Sequence, residues 1–173
     1  NNGGGPPMGS SLDFSDADWQ SSIDQNLLSA IRFSRLVAPI MKRNQWGRIL
    51  SVSSTVAKEP SSNMVLSATL RAGLGAFTKS IASELAPHGI TANVLCPGGV
   101  LTDRLKDLVR TRSKREGVSY DSLIEQSVRS IPSGRFADPD ELGKAAAFLC
   151  SDDSAYITGV SLSVDGGLTK GFT

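Results

Sequence analysis

Three short apolar runs, separated by long amphipathic stretches, constrain the fold of this chain more than any other feature. The runs are GRILSVSS (47–54), the strand within GITANVLCPGG (89–99), and GVSLSVDGG (159–167), where Val160, Leu162 and Val164 alternate with polar residues. Short apolar runs next to Gly and Pro turns read as strands. A long helix is expected over about 16–43, opened by SDAD, in which Ser15 and Asp18 form a capping-box pair. Its apolar positions are Trp19, Ile23, Leu27, Ile31 and Val37–Ile40. A second long helix is expected over about 64–86, with Leu70, Leu74, Phe77, Ile81 and Leu85 spaced by 4, 3, 4 and 4. On a neighbouring face Ala68, Ala72 and Gly75 are small enough to admit another backbone. Residues 104–130 are polar and helical in part, and 138–151 form a helix with Asp138 as N-cap and Pro139 in its first turn.

Strands alternating with helices form a parallel sheet covered on both faces. Three strands cannot cover four or five helices. The expected class is therefore α/β, and the chain reads as the C-terminal part of a doubly wound parallel sheet. Residues 1–173 then form one partial domain, whose first half was removed or belongs to a separate chain.

A formal net charge of +1 gives no bulk electrostatic case for nucleic acid or an anionic membrane. No apolar run approaches the ~18 residues that a membrane span needs. The opening NNGGGPPMGSS lacks the basic start and apolar core of a signal peptide. Cys96 and Cys150 lie far apart in apolar surroundings and read as buried thiols in a reducing compartment, the cytoplasm, rather than a disulfide or metal ligands. The single histidine, His88, precedes a glycine at an expected helix C-terminus, a common structural position, with a general base as the rarer alternative. A histidine-based triad or a His-rich metal site is therefore not expected, and no metal is predicted.

The ordered set NNGG (1–4), QN (25–26), GRILSVSS (47–54), AGLGAFTKSIASELAPHGITANVLCPGGVLTDR (72–104), DPDELGKAAAFL (138–149) and ITGVSLSVDGG (157–167) resembles the short-chain dehydrogenase/reductase family. The likeness is strongest to members similar to β-ketoacyl-carrier-protein reductases. It covers nearly the whole chain and implies a Rossmann-type fold, NAD or NADP as cofactor, and interconversion of carbonyls and alcohols. It also implies that the glycine-rich pyrophosphate loop precedes the NNGG motif, so that Asn1 and Gly3 mark the surviving edge of the cofactor site. Pro97, Gly98 and Thr102, in the Pro-Gly loop, match residues that contact the nicotinamide. A Pro-Gly turn after a strand is the bland alternative.

The family's catalytic Asn and Ser match Asn26 and Ser54. Its Tyr falls thirteen residues beyond that Ser and its Lys four beyond the Tyr; in this chain the positions hold Ser67 and Arg71, within SATLR (67–71), and the following AGL fixes the register. A phenol of pKa ~10 can be tuned toward neutrality by a neighbouring cation. A serine hydroxyl is far less acidic and much shorter. Arg71 keeps a positive charge whose donors could hold the nicotinamide ribose, but it cannot release a proton at physiological pH. Spacing of four keeps Ser67 and Arg71 on one helix face.

Two residues could supply a replacement acid. Tyr120 lies in the segment, 104–131, that in the family covers the substrate, and Lys58 follows Ser54. Their bland readings are lid packing and solvation. Residues 104–115 carry six basic side chains and one acidic one, either a solvated helix face or a surface for an anionic carrier or acyl thioester. The resemblance implies a homodimer or homotetramer built through the two long helices. The expectation is an NAD(P)(H)-dependent oxidoreductase with a small carbonyl or alcohol substrate, the rival being a relative that binds nucleotide without turnover.

Overall fold

In the computed structural model, which describes residues 1–171, the three strands are β1 (Gly47–Val52), β2 (Ile90–Pro97) and β3 (Ser161–Val164). They form one sheet in the order β1-β2-β3, with both pairings parallel. Gly47 lies opposite Ile90, and Pro97 opposite Val164. The sheet thus has the expected class and strand count. All three strands are shorter than expected, because the flanking residues leave the ladder: Ser54 already caps a 3₁₀ turn. β3 is less buried than its alternation suggested, with Val160 and Leu162 both exposed, because it is a sheet edge among the described residues.

The helices are α1 (Asp16–Ile23), α2 (Ser29–Asn44), α3 (Val65–Leu85), α4 (Asp103–Glu116), α5 (Tyr120–Val128) and α6 (Pro139–Cys150). The capping boxes at Ser15/Asp18 and Asp138/Glu141 both form. In α3, Leu70, Leu74 and Leu85 are buried as the periodicity requires. Part of the core lies where Ile49, Ala82, Leu85, Ile90 and Ala92 meet under Ala38, Met41 and Ile81. Burying a Leu or Ile side chain contributes about 1.5–3 kcal/mol. This cluster therefore binds α2 and α3 to the sheet.

The first long helix departs from its expected form. It runs from 16 to 44 without a break in helical winding, but residues Asp24–Leu28 form a π turn between α1 and α2. Its buried line is not the apolar stripe. Ser22, Asn26, Ala30 and Ser34 are buried, whereas Trp19, Ile23, Leu27 and Ile31 are half-buried and Ile40 is exposed. Small side chains at spacing four let the helix approach closely, and the larger apolar groups fall to either side of the contact.

Three further expectations are corrected. Ala68 packs inside, at 7% exposure, while Ala72 is exposed and Gly75 half-buried, so these three do not share one open face. Cys150 is exposed at the end of α6, whereas Cys96 is buried in β2 as expected. Residue 1, expected in a segment without secondary structure, adds a rung to the sheet: its N–H group donates to Leu50 O at 2.7 Å, and its carbonyl accepts from Val52 N at 2.8 Å. His88 ends a 3₁₀ turn before left-handed Gly89 and approaches Gln45 Nε2 at 3.4 Å, a structural position. Trp46 Nε1 and the Arg48 guanidinium both donate to Asp152 Oδ1, at 2.9 and 3.0 Å, which fastens the end of α6 to the start of β1. No described helix is long and apolar enough to cross a membrane.

Candidate functional site

The π turn is the centre of the site. Because Ser29 N–H bonds to Asp24 O, five residues back, the Gln25 carbonyl loses its usual partner. The Ser29 hydroxyl donates to it instead, at 2.5 Å. That same carbonyl stands beside Gly3, where a β-carbon would sit 2.7 Å from the oxygen. Only a glycine allows the 1–5 loop to lie this close to the helix. The next residue, Asn26, is buried; its Nδ2 donates to Ser22 O at 3.2 Å and its Oδ1 has no hydrogen-bond partner.

Arg71 approaches from α3. Its Nη1 donates to Val52 O and its Nη2 to Gly4 O. One guanidinium therefore ties the end of β1 to the 1–5 loop. Arg71 Nε is buried and unpaired. Burial lowers the Arg71 pKa first, and the neighbouring Arg104 charge lowers it further. Asn1, Gly3, Gln25, Asn26, Ser29 and Arg71 all line one cleft of about 360 Å³, with Val52 and Leu74 as apolar wall. Buried polar atoms without partners are uncommon, and two of them, Asn26 Oδ1 and Arg71 Nε, belong to residues of this cleft.

The remaining expected residues sit around this cleft rather than in it. Ser54 is half-buried at the end of β1, and its Oγ accepts from Val56 N at 3.3 Å, so its own O–H is left to donate. Ser67 is buried in α3 and makes no side-chain hydrogen bond among the described residues. Thr102 caps α4, its Oγ accepting from Leu105 N at 3.3 Å. Gly98 lies where a β-carbon would meet Asp165 Cβ at 2.8 Å, so the Pro97–Gly98 turn is pressed against the strand that follows it in the sheet.

Lys58 is neither solvated nor directed to this cleft. Its Nζ donates to Ser161 O at 2.8 Å on β3. It lines a second cavity of about 360 Å³ with Ser53, Cys96 and the other side of Arg71. Burial pushes the Cys96 thiol up, more than the Lys58 and Arg71 charges pull it down. Tyr120 is half-buried in the first turn of α5.

The basic stretch 104–115 is more balanced than its composition suggested. Lys106, Arg110, Arg112 and Arg115 each pair with Asp103, Asp107 or Glu116 within 3.1 Å. No cluster of three or more metal-ligating side chains is found among the described residues. Gln25 and Ser29 were missed by sequence reasoning. The signal that could have revealed them was the polar spacing of Ser22, Asn26, Ala30 and Ser34, which no amphipathic surface helix explains.

A family model described as Enoyl-(Acyl carrier protein) reductase matches residues 1–169. The D-beta-hydroxybutyrate dehydrogenase of Cupriavidus necator is 38% identical, over 96% of this chain and 65% of its own. The 3-oxoacyl-[acyl-carrier-protein] reductase FabG of Escherichia coli is 37% identical, over 88% of this chain and 58% of its own. Among solved structures, YwfH, an NADPH dependent reductase involved in bacilysin biosynthesis, superposes with a TM-score of 0.92 at 32% identity, covering 99% of this chain and 66% of that one. The chain thus spans about three fifths to two thirds of the length of the relatives it matches. On the parallel sheet, the cleft and these likenesses together, the chain belongs to the short-chain dehydrogenase/reductase family.

Proposed function

We propose that the protein is an NAD(P)(H)-dependent oxidoreductase that interconverts a small carbonyl compound and its alcohol, a 3-oxoacyl thioester being one candidate. The observation that carries this reading is the cleft itself, in which Asn1, Gly3, Asn26 and Arg71 converge and two buried polar atoms of its lining residues stay unpaired. These residues fit the nicotinamide side of a dinucleotide. Asn1 and Gly3 supply a floor on which backbone can approach, and Arg71 retains Nε–H and unused Nη hydrogens as donors. Pro97, Gly98 and Thr102 form the opposite rim. When bound, NAD(P)H supplies the hydride.

The chain's own residues orient the substrate and handle the proton. Ser54, whose oxygen is already an acceptor, donates its O–H to the substrate carbonyl oxygen. Ser67 and Arg71 stand at the family's Tyr and Lys positions. Arg71 stabilises charge as the oxygen becomes an alkoxide, and Ser67 leaves room for water to deliver the proton. Losing a positioned general acid costs about 10²–10⁴-fold, which slows turnover without abolishing it. Lys58 is held on β3, so it is not the replacement acid. Residues 104–131, α4 and α5, act as the substrate lid, which leaves Tyr120 as the only lid phenol. The protein works in the cytoplasm as a homodimer or homotetramer joined through α2 and α3. Phe33, Leu36 and Ile40 on α2 are more than half exposed, which supports such a contact.

One observation favours the rival reading, a nucleotide-binding relative without turnover. Two nitrogens of Arg71 are committed to backbone carbonyls, as befits a structural strut. Steady-state oxidation of NADH and NADPH by the intact protein, with a panel of ketones and 3-oxoacyl thioesters, separates the two. Turnover above the protein-free rate establishes the reductase. Cofactor binding with no turnover across the panel establishes the rival.

A further inference from the structure

We infer that Arg104 selects a ligand bearing an anionic oxygen group, a carboxylate or a phosphate, at the mouth of this cleft; as a statement about substrate class, it rests on the reductase reading. Arg104 differs from the other basic residues of α4. Lys106, Arg110, Arg112 and Arg115 each have a carboxylate within 3.1 Å. Arg104 has no ion pair among the described residues, and the adjacent Asp103 is taken by Lys106. Its guanidinium instead turns toward the loop. Nη2 and Nη1 lie 3.5 and 3.6 Å from the point where Gly5 would carry a β-carbon.

The preceding residue, Gly4, accepts from Arg71 Nη2. Two guanidinium groups thus address consecutive glycines, with no carboxylate bonded to either. Like charges gathered in a partly buried place repel each other, and the repulsion is relieved by an anion between or above them. There is room for one: a β-carbon on Gly4, at φ 75°, would meet nothing within 4 Å. The planar fork of a guanidinium suits a carboxylate or phosphate oxygen pair, which an ammonium does not match.

The group could belong to the substrate or to the cofactor diphosphate, and both sources are tested with Arg104→Gln and Arg104→Lys in the intact protein. Acetoacetate is the anionic probe, methyl acetoacetate its neutral counterpart, and NADPH the phosphate-bearing ligand. Calorimetric titrations of cofactor-loaded protein read acetoacetate binding without requiring turnover. Loss of one charge-assisted hydrogen bond predicts that Arg104→Gln weakens acetoacetate about tenfold or more, while methyl acetoacetate and NADPH change less than about twofold. Arg104→Lys should recover only part of the loss. If NADPH alone weakens by that factor, the anion site stands and its ligand is the diphosphate. If the acid and the ester weaken equally, or nothing changes, the inference is overturned. Arg104-dependent acetoacetate binding without NADPH oxidation would sink the reductase reading and leave the anion site in place.

Discussion

The guanidinium of Arg71 donates to the carbonyl of Gly4, joining the middle of α3 to a loop 67 residues earlier. Its other bond, to Val52 O, makes the residue a strut between strand and loop. Arg71→Met should leave two carbonyls without donors and cost about 2–4 kcal/mol. Urea unfolding would show this as a lower midpoint with an unchanged slope. A midpoint equal to that of the parent would remove the strut.

The double variant Ser67→Tyr, Arg71→Lys restores a phenol and a compact cation in register with Asn26 and Ser54. Turnover of a simple ketone should rise about tenfold or more, within the range for a regained general acid. Lys has one nitrogen where Arg has three, so a lower melting temperature should accompany the gain. A folded, cofactor-binding double variant no faster than the parent would refute the proton-donor account.

Gly3→Ala places a methyl group 2.7 Å from Gln25 O, a backbone atom with no room to move. The 1–5 loop must then lift from the π turn at a cost of about 1–3 kcal/mol. The expected signature is weaker dinucleotide binding with near-native circular dichroism. Unchanged affinity would mean that the loop does not floor the cofactor site.

Glu141 bonds both Arg135 and the Asp138 N–H, and these contacts, the Arg135 bonds first, hold its pKa down to about 2 from an ordinary value of 4.5. A depressed carboxylate stabilises the fold above its unfolded pKa and loses that contribution as pH falls through the folded one. Thermal midpoints should therefore decline between about pH 4.5 and pH 2. Glu141→Gln should start lower and decline less over that window. Parallel curves for the two proteins would count against the Arg135–Glu141 contact.

Ala72 is exposed on α3, next to half-buried Gly75. Ala72→Arg should split an α2–α3 assembly without unfolding the subunit, because the exposed side chain displaces nothing internal. Sedimentation equilibrium would report a fall in mass. A variant with the parent's mass, or a parent that is monomeric at micromolar concentration, would locate the contact elsewhere.

The sheet was legible because its strands are bounded by turn residues and its helices by caps whose partners lie three residues away. Ser15 with Asp18 and Asp138 with Glu141 are local chemistry, which sequence records directly. The α3 stripe was legible for the same reason. The site was legible only in part. Asn26 and Arg71 could be named by register, but what they touch depends on Val52, Gly4 and Gln25, which are remote in sequence from at least one partner. The first long helix was misread because apolarity was taken for burial. There the close contact selects small side chains, and Phe33 and Leu36 stay outside. Cys150 was misread for a related reason: an apolar neighbourhood along the chain says nothing of which helix face a residue occupies.

The π turn at Asp24–Leu28 also sets an angular phase. At 3.6 residues per turn, a spacing of four overshoots a full revolution by about 40°, so three such steps would drift by roughly 120° and leave the contact face. Ser22, Asn26, Ala30 and Ser34 take three steps and all stay buried. One wider turn winds more slowly per residue and takes back part of the drift. The single additional residue acts as a phase corrector that keeps a 12-residue polar seam aligned, and removing it would rotate Ser34 and everything beyond it by about 100° against the sheet.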